Sequence, residues 1–460
     1  MQLVAYGAQD VYLTGNPKVT FFQAVYKRHT NFAMENIQQT VNGSATSNGR
    51  VSVTVARNGD LIGQMYIDLQ SNACSVVSGT SASTTVTAND GVFLAERAIS
   101  DIELTIGGQR IDKHYQRWWR LYSELYLDEA KKANYGKMTS NPTGETYLAS
   151  GTNGAATGQV ILPLIFFFNR NPGLYLPLIA LQYHEVRLDF DLSSEYSVNF
   201  STTFNVWGNY VYLDTEERRR FAQKGHEYLI EQVQHTGTDS LNLSGTTTQS
   251  GSGAQIRLSY NHPVKELVWC VTNNQFLNRQ LWDLTSNCGS ANTFLLTTNP
   301  AYNQAGEASS KTVIPSSYVG VPVLLSNAAA PYSWTEDGSP VNSGTSIAQS
   351  VGPLASFRVI LNGQDRFKDQ SGKFFNQVQP LWHHSGNPYP GIYCYSFALK
   401  PEEHQPTGTC NFSRIDNAQV DVRVKAGINP SVGGNTLEMY AVNYNVLRIQ
   451  SGMGGLAFSN

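Results

Sequence analysis

GNYVYL, Gly208–Leu213, is echoed 234 residues on by VNYNVL, Val442–Leu447, so that Asn209, Tyr210 and Leu213 match Asn443, Tyr444 and Leu447. Two further matches precede it in the same order in both halves. LTIGGQR, Leu104–Arg110, resembles VILNGQD, Val359–Asp365, with Gly108-Gln109 matching Gly363-Gln364 at a separation of 255. Glu35 in FAMENIQQTV resembles Glu227 in GHEYLIEQV at a separation of 192. An aromatic pair follows each glycine turn, Trp118-Trp119 in one half and Phe374-Phe375 in the other. Inserted segments explain why the separation changes. The 63 residues gained between the first and second matches correspond to a 65-residue polar stretch, Ser286–Ser350; the 21 then lost correspond to the 20 residues Thr139–Gly158. Two copies of one unit, each roughly 200 residues, are expected.

The unit is built of strands. QYHEVRLDF, Gln182–Phe190, alternates Tyr183, Glu185, Arg187 and Asp189 with His184, Val186, Leu188 and Phe190, the period-two pattern of a half-buried strand. Leu61–Leu69, Ile99–Ile106, Val206–Leu213, Glu227–Val233, Phe357–Leu361, Val420–Val424 and Met439–Ile449 are similarly rich in Val, Ile, Tyr and Phe, with Gly, Asn, Ser and Pro between them. Eight or so such strands with Greek-key connections make a jelly roll, so the expected fold is all-β with two tandem jelly rolls. Helices are few. Tyr115, Trp118, Trp119, Tyr122, Leu125 and Tyr126 share one helical face, and Gly136 offers a stop. The face is expected to pack on its own jelly roll. DTEERRRFAQKG, Asp214–Gly225, has an Asp cap, acids before bases and a closing Gly, as a helical linker would. The division expected is an arm over 1–30, a first jelly roll over 31–213, the linker over 214–225 and a second jelly roll over 226–460.

A chain of 460 residues accommodates two or three domains, and 41% hydrophobic residues can fill their cores. Only 15% are charged, below the usual quarter or so. Lys plus Arg is 32 against 35 Asp plus Glu, a net charge of −3, which does not suit direct binding to nucleic-acid phosphates. The N-terminus has neither a basic nor an apolar signal region. The longest apolar run, Val160–Phe168, contains Pro163 and cannot span a bilayer as a helix. Asn42–Gly49, Ser71–Asp90, Thr139–Gly158, Ser244–Gly253 and Ser286–Ser350 are rich in Ser, Thr, Gly and Asn and read as long surface loops.

No catalytic constellation emerges. His184-Glu185 and His226-Glu227 start like zinc-protease motifs but lack the second His. The five cysteines, Cys74, Cys270, Cys288, Cys394 and Cys410, form no CxxC, and the strongest metal candidate is a meeting of His383, His384 or His404 with Cys394 or Cys410. Neither a nucleophile elbow nor a phosphate-binding loop is present, and the Gly-rich SGMGGLAF, Ser451–Phe458, precedes no helix. The expectation is no enzyme, no cofactor and no metal. Lys27-Arg28-His29, among the aromatics of FFQAVYKRHTNF, is the one amphipathic basic patch that suits contact with an acidic partner surface.

Six blocks together resemble the major capsid proteins of large icosahedral double-stranded DNA viruses of eukaryotes. They are LVAYGAQDVYLTGNPKVTFFQAVYKRHTNFAMENI (Leu3–Ile37), RNGDLIGQMYIDL (Arg57–Leu69), GGQRIDKHYQRWW (Gly107–Trp119), LYLPLIALQYHEVRLDF (Leu174–Phe190), LDTEERRRFAQ (Leu213–Gln223) and YAVNYNVLRIQSGMGGLAFSN (Tyr440–Asn460). The resemblance implies a double jelly roll with a few short helices and long outward loops. It also implies a structural role in the virion: a homotrimer forming a capsomer of near-sixfold outline, touching neighbouring capsomers. The arm, with Tyr12, Phe21, Phe22, Lys27 and Arg28, is then expected at the inner end. There it would meet minor capsid proteins above an internal membrane that the chain itself does not span. Synthesis in the host cytoplasm follows. The competing expectation is a tandem β-sandwich glycan-binding protein, which would carry aromatic platforms on its loops.

Overall fold

The computed structural model describes residues 7–10, 12, 22–23, 26–72, 94–139, 158–241, 253–273, 354–388, 391–424 and 435–458. Most of four polar inserts, those near 71–90, 139–158, 244–253 and 286–350, lies outside them, as do Phe21, Cys74 and Cys288.

Ten strands precede residue 214: β1 (Phe32–Gln38), β2 (Val41–Gly43), β3 (Arg50–Thr54), β4 (Leu61–Ser71), β5 (Ile99–Ile106), β6 (Gln109–Tyr115), β7 (Gln159–Pro163), β8 (Leu176–Pro177), β9 (Val186–Leu192) and β10 (Phe200–Leu213). One sheet has the order β1-β10-β4-β7, with β8 on β4; the facing sheet has β2-β3-β9-β5-β6. Eleven strands follow: β11 (His226–Leu241), β12 (Gly253–Leu258), β13 (Pro263–Asn273), β14 (Leu354–Leu361), β15 (Gln364–Asp365), β16 (Gln370–Ser371), β17 (Ile392–Ser396), β18 (Cys410–Asn411), β19 (Ala418–Val424), β20 (Asn435–Gln450) and β21 (Met453–Leu456). Their sheets run β11-β20-β13-β17 and β12-β19-β14-β15. The two units therefore have one topology: β1, β10, β4 and β7 correspond to β11, β20, β13 and β17, while β3, β9, β5 and β6 correspond to β12, β19, β14 and β15. Each unit is a jelly roll of two four-stranded sheets with small additions.

Local chemistry explains the elements. In β9, Val186, Leu188 and Phe190 are buried while Arg187 is exposed, the alternation of a strand with one face on a core. Gly107 and Gly108 close the β5–β6 hairpin with φ of 58° and 82°; Asn362 and Gly363 close β14–β15 with 52° and 79°. Both turns need positive φ twice in a row, which Gly and Asn tolerate best. The matched GGQ and NGQ are thus one turn used twice. The match of Glu35 with Glu227 is corrected by strand pairing. Glu35 lies opposite Tyr210, whereas Glu227 lies opposite Arg448 and Glu231 lies opposite Tyr444. With Tyr210 and Tyr444 as counterparts, Glu231 takes the place of Glu35. A period-two strand can slip by an even number of residues without changing face, so the pattern alone did not fix the register.

Among the described residues, three α-helices of nine residues or more pack beside the sheets or join the units: α1 (Gln116–Tyr126), α2 (Glu129–Thr139) and α3 (Thr215–Gln223). The expected stop at Gly136 is not where α1 ends. Leu127 is extended, with φ −94° and ψ 134°, and the Asp128 carboxylate accepts from Lys131 N at 2.8 Å, starting α2. Gly136 lies buried inside α2. The linker helix α3 forms as its sequence indicates: Asp214 caps Thr215 N at 2.8 Å, and Arg218 pairs with Asp60 at 2.8 Å. Asn42–Gly49 is not wholly loop, since Val41–Gly43 forms β2 on β3.

One apolar cluster fills the first sandwich with Ile62, Met65, Ile67, Leu104, Leu188, Phe190 and Val206. A second fills the other with Leu267, Trp269, Phe357, Val420, Leu437 and Met439. Trp269 stacks on Phe357 with ring centroids 4.1 Å apart. The first cluster continues past its own sheets onto the outward face of the second unit, through Val268, Cys270, Ile392, Cys394, Tyr440 and Val442. The strand ends sort into two poles. β1 starts, β10 ends, β11 starts and both Gly turns lie at one pole, where the chain before Phe32 joins. The described residues flanking 73–93, 140–157, 242–252, 274–353 and 425–434 all lie at the other, since Ser71 neighbours Phe200, Gln70 neighbours Gln159, and Leu241, Asn273 and Asn435 meet side by side.

Candidate assembly surfaces

The chain contains one complete seam between two jelly rolls. It forms where the β6–α1 side of the first unit meets the outward face of β11-β20-β13-β17. Helix α1 is amphipathic and apolar on both flanks, so it serves two cores. Trp119 points into its own unit, its Nε1 donating to Pro163 O at 3.2 Å. Trp118 and Tyr126 face the other unit: Trp118 lies 5.7 Å from Tyr440 and Tyr126 lies 5.1 Å edge-on to His384. Tyr122 stacks on Tyr126 at 4.8 Å. Trp119 packs on its own jelly roll as expected, whereas Trp118 and Tyr126 also meet the second unit. Backbone groups close the seam: Val233 N donates to the Asp112 carboxylate at 3.1 Å and Gly386 N to Leu125 O at 3.0 Å.

Charges are buried along this seam. Arg117 pairs with Glu438 at 3.2 Å. Arg170 of the first unit reaches Glu231 of the second at 3.0 Å, and Lys265 holds the other carboxylate oxygen at 2.6 Å. Burial pushes the Glu231 carboxyl up, but Lys265 and Arg170 outweigh it and hold it below the ordinary range. Burial draws the Lys265 ammonium down further than Glu231 restores it. His384 lies between Glu266 at 3.0 Å and Glu402 at 3.2 Å. Burial opposes its charge, yet Glu266, helped by Cys394, raises it well above its ordinary value. A cleft of about 350 Å³ nearby is lined by Lys131, Arg170, Glu231, Glu402 and His404. Arg170 and Glu231 satisfy each other there, which makes the cleft part of the seam.

The candidate metal meeting is realised only in that His384 touches Cys394; among the described residues no group of three or more His, Cys, Asp or Glu side chains is placed to hold an ion. His184 and His226 do structural work instead. His184 Nδ1 bonds the Gly454 backbone, its carbonyl at 2.9 Å, and His226 Nε2 lies 2.8 Å from Phe221 O. No described helix is long and apolar enough to cross a membrane.

The arm residues do not come together with these surfaces. Tyr12, Phe22, Lys27 and Arg28 are all exposed, and Arg28 bonds Asn31. What the sequence reading missed is a second apolar stripe. Phe374, Val378, Leu381 and Trp382 sit on the irregular helix over 374–383, between β15 and β17, where the first unit has α1. Leu381 is 80% and Trp382 63% exposed, and Leu399 adjoins them through its carbonyl bond to His383. The signal was present as Phe374, Val378 and Trp382 at steps of four, matching Trp118, Tyr122 and Tyr126. Strand β1 is open as well: Phe32 is 51% and Met34 49% exposed, whereas its counterpart β11 is buried along Ile230–Val233.

Comparison with known proteins gives a consistent answer. Residues 217–455 match the family model for the large eukaryotic DNA virus major capsid protein, and residues 20–214 match that for the major capsid protein N-terminus. A major capsid protein of Paramecium bursaria Chlorella virus 1 is 42% identical over 491 residues, covering 100% of this chain and 99% of the relative. One from Phaeocystis pouchetii virus is 39% identical over 527, again across 100% and 99%. Among solved structures, a quasi-atomic model of the PBCV-1 virus capsid matches with a TM-score of 0.72 and 38% identity, covering 96% of this chain and 100% of that one. The Faustovirus major capsid protein, at 13% identity and a TM-score of 0.64, shares the fold.

Proposed function

The chain belongs to the major capsid protein family of large eukaryotic DNA viruses, and from that premise we propose that three copies close into a capsomer of near-sixfold outline. Its role is structural, as a building block of the virion's double jelly-roll capsid. The observation that carries the trimer is the repeated strand order. Two units of one topology per chain, taken three times, give six similar walls, which a hexagonal lattice requires. The division we adopt is an arm over 1–30, jelly rolls over 31–213 and 226–460, and a linker over 214–225.

The pole from which the long inserts leave faces outward in this reading. The arm pole faces inward, with Tyr12, Phe21, Phe22, Lys27 and Arg28 available to minor capsid proteins above an internal membrane. Neighbouring capsomers meet through smaller, more polar contacts than those within a trimer, which lets misplaced blocks exchange. The chain carries no enzymatic activity in this reading, touches no nucleic acid directly, and is made in the host cytoplasm. The tandem glycan-binding alternative is set aside, because the full-length family match supplies a structural role.

Light scattering on the purified chain tests the oligomer: a species near three times 50.7 kDa is expected, and a monomer at micromolar concentration overturns the trimer. A reconstruction of the particle tests the orientation, and arm density on the outer surface overturns it.

A further inference from the structure

The glycine-rich end of the chain, Ser451–Phe458, runs between the two units. β21 turns back on β20 through Ser451 and Gly452, at φ 53° and 78°, and pairs with it over Leu447–Gln450. Its other edge lies against the first unit. Tyr183 N donates to Gly452 O at 3.0 Å, His184 Nδ1 stands 2.9 Å from Gly454 O and 3.1 Å from Gly454 N, and Leu456 N donates to Gln109 Oε1 at 3.2 Å. Arg57 fixes the receiving loop by donating to Gln182 O at 2.8 Å and to His184 O at 3.2 Å. The glycines fit this slot. A Cβ on Gly452 would stand 2.6 Å from the Tyr183 ring, one on Gly454 2.8 Å from Leu181, and one on Gly455 2.9 Å from Gln109 Oε1. All three obstacles belong to the first unit, so the missing side chains serve close approach between units.

The segment is also tied to the seam. Asn445 Nδ2 donates to Phe458 O at 2.9 Å and to Gln232 Oε1 at 3.1 Å, and Gln232 Nε2 donates in turn to Ile111 O. Beside this bridge Val233 N donates to the Asp112 carboxylate at 3.1 Å. β6 and β11 are edge strands of different sheets, and here side chains rather than a backbone ladder join them. Leu456 packs against the first apolar cluster. The other half of the seam is held separately by α1, through Trp118, Tyr126 and the Gly386–Leu125 bond.

We propose that Ser451–Phe458 is a latch between the jelly rolls. Docked, it holds β6 against β11 and fixes the angle between the units at the arm pole. Released, it lets that half of the seam open while α1 keeps the other half closed and both sandwiches stay folded. Opening is local because the latch half is held mainly by a few hydrogen bonds, whereas the α1 half buries aromatic rings. The inference goes beyond the capsomer reading and does not depend on it.

Residue-resolved hydrogen exchange on the full chain tests it. The Leu456 amide, bonded to Gln109, reports the latch, and the Val233 amide, bonded to Asp112, reports the seam beside it. Two amides serve as controls: Ala457 N bonds Val446 O at 2.8 Å within the second unit, and Gly386 N bonds Leu125 O at 3.0 Å in the α1 half. Gly454→Val suits an extended backbone but collides with Leu181. It is expected to speed exchange at Leu456 and Val233 together by at least about 30-fold, with Ala457 and Gly386 within about threefold of the unmodified chain. Gln109→Ala removes the acceptor without altering the second unit, and a rise of about fivefold at the same pair is expected. Faster exchange at Leu456 without Val233 makes the segment an ornament on β20 and overturns the latch. A rise shared by Gly386 means general loosening and overturns it too, as does no rise in either variant. Circular dichroism confirms folding, and should Gly454→Val misfold, Gln109→Ala decides alone.

Discussion

Glu231 is held from two directions, by Lys265 of its own unit and by Arg170 of the other. Removing one partner of a buried pair leaves the remaining charges uncompensated, at a cost of about 3–5 kcal/mol. Glu231→Ala is therefore expected to lower stability by about that much, measured by denaturant unfolding. Lys265→Met/Glu231→Leu together are expected to cost far less, despite the residual Arg170. The seam also has a defined pH window. His384 is raised above its ordinary 6.5, so its contribution is complete below that value and is lost as pH climbs through the raised one. Glu231 is lowered from its ordinary 4.5, so its contribution is complete above that value and fades as pH falls through the lowered one. The contributions of His384 and Glu231 are expected to be level between these limits and to decline on both sides. His384→Gln should lower the plateau and remove the part of the alkaline decline due to this residue, as read from urea midpoints across pH.

Among the elements, the hairpins that betray the repeat are also its most exacting points. Gly363 holds φ 79°, and Gly363→Val is expected to cost about 1–2 kcal/mol in unfolding experiments. Such turns are legible in sequence because their requirement is local: two residues must take positive φ. Strands with one buried face were legible for a similar reason, through alternation. The seam was harder to see. Leu267–Val271 is apolar at every position, a pattern that means burial on both faces, yet it does not say what covers the second face. The end of α1 was misplaced because Gly136 looked like a stop, whereas Asp128, a better start signal, stood eight residues earlier.

At the scale of the whole chain, one apolar cluster runs from the first sandwich through α1 onto the second unit's sheet. Inter-domain contacts are commonly small and polar, and they let domains unfold separately. Here a single calorimetric transition is expected, and Trp118→Ala or Tyr440→Ala should split it into two. The two-unit plan was readable in the sequence because inserts change separations without reordering matches. Leu381 and Trp382 were present in the residues, but that they stay exposed while Phe374 packs on the second core required the structure.

The segregation of strand ends has a practical corollary. Chain added between Asn273 and Leu354 enters and leaves at one pole, opposite the pole where the chain before Phe32 joins. A foreign epitope spliced there is expected to be carried without unfolding either sandwich, which the melting temperature of such a variant checks.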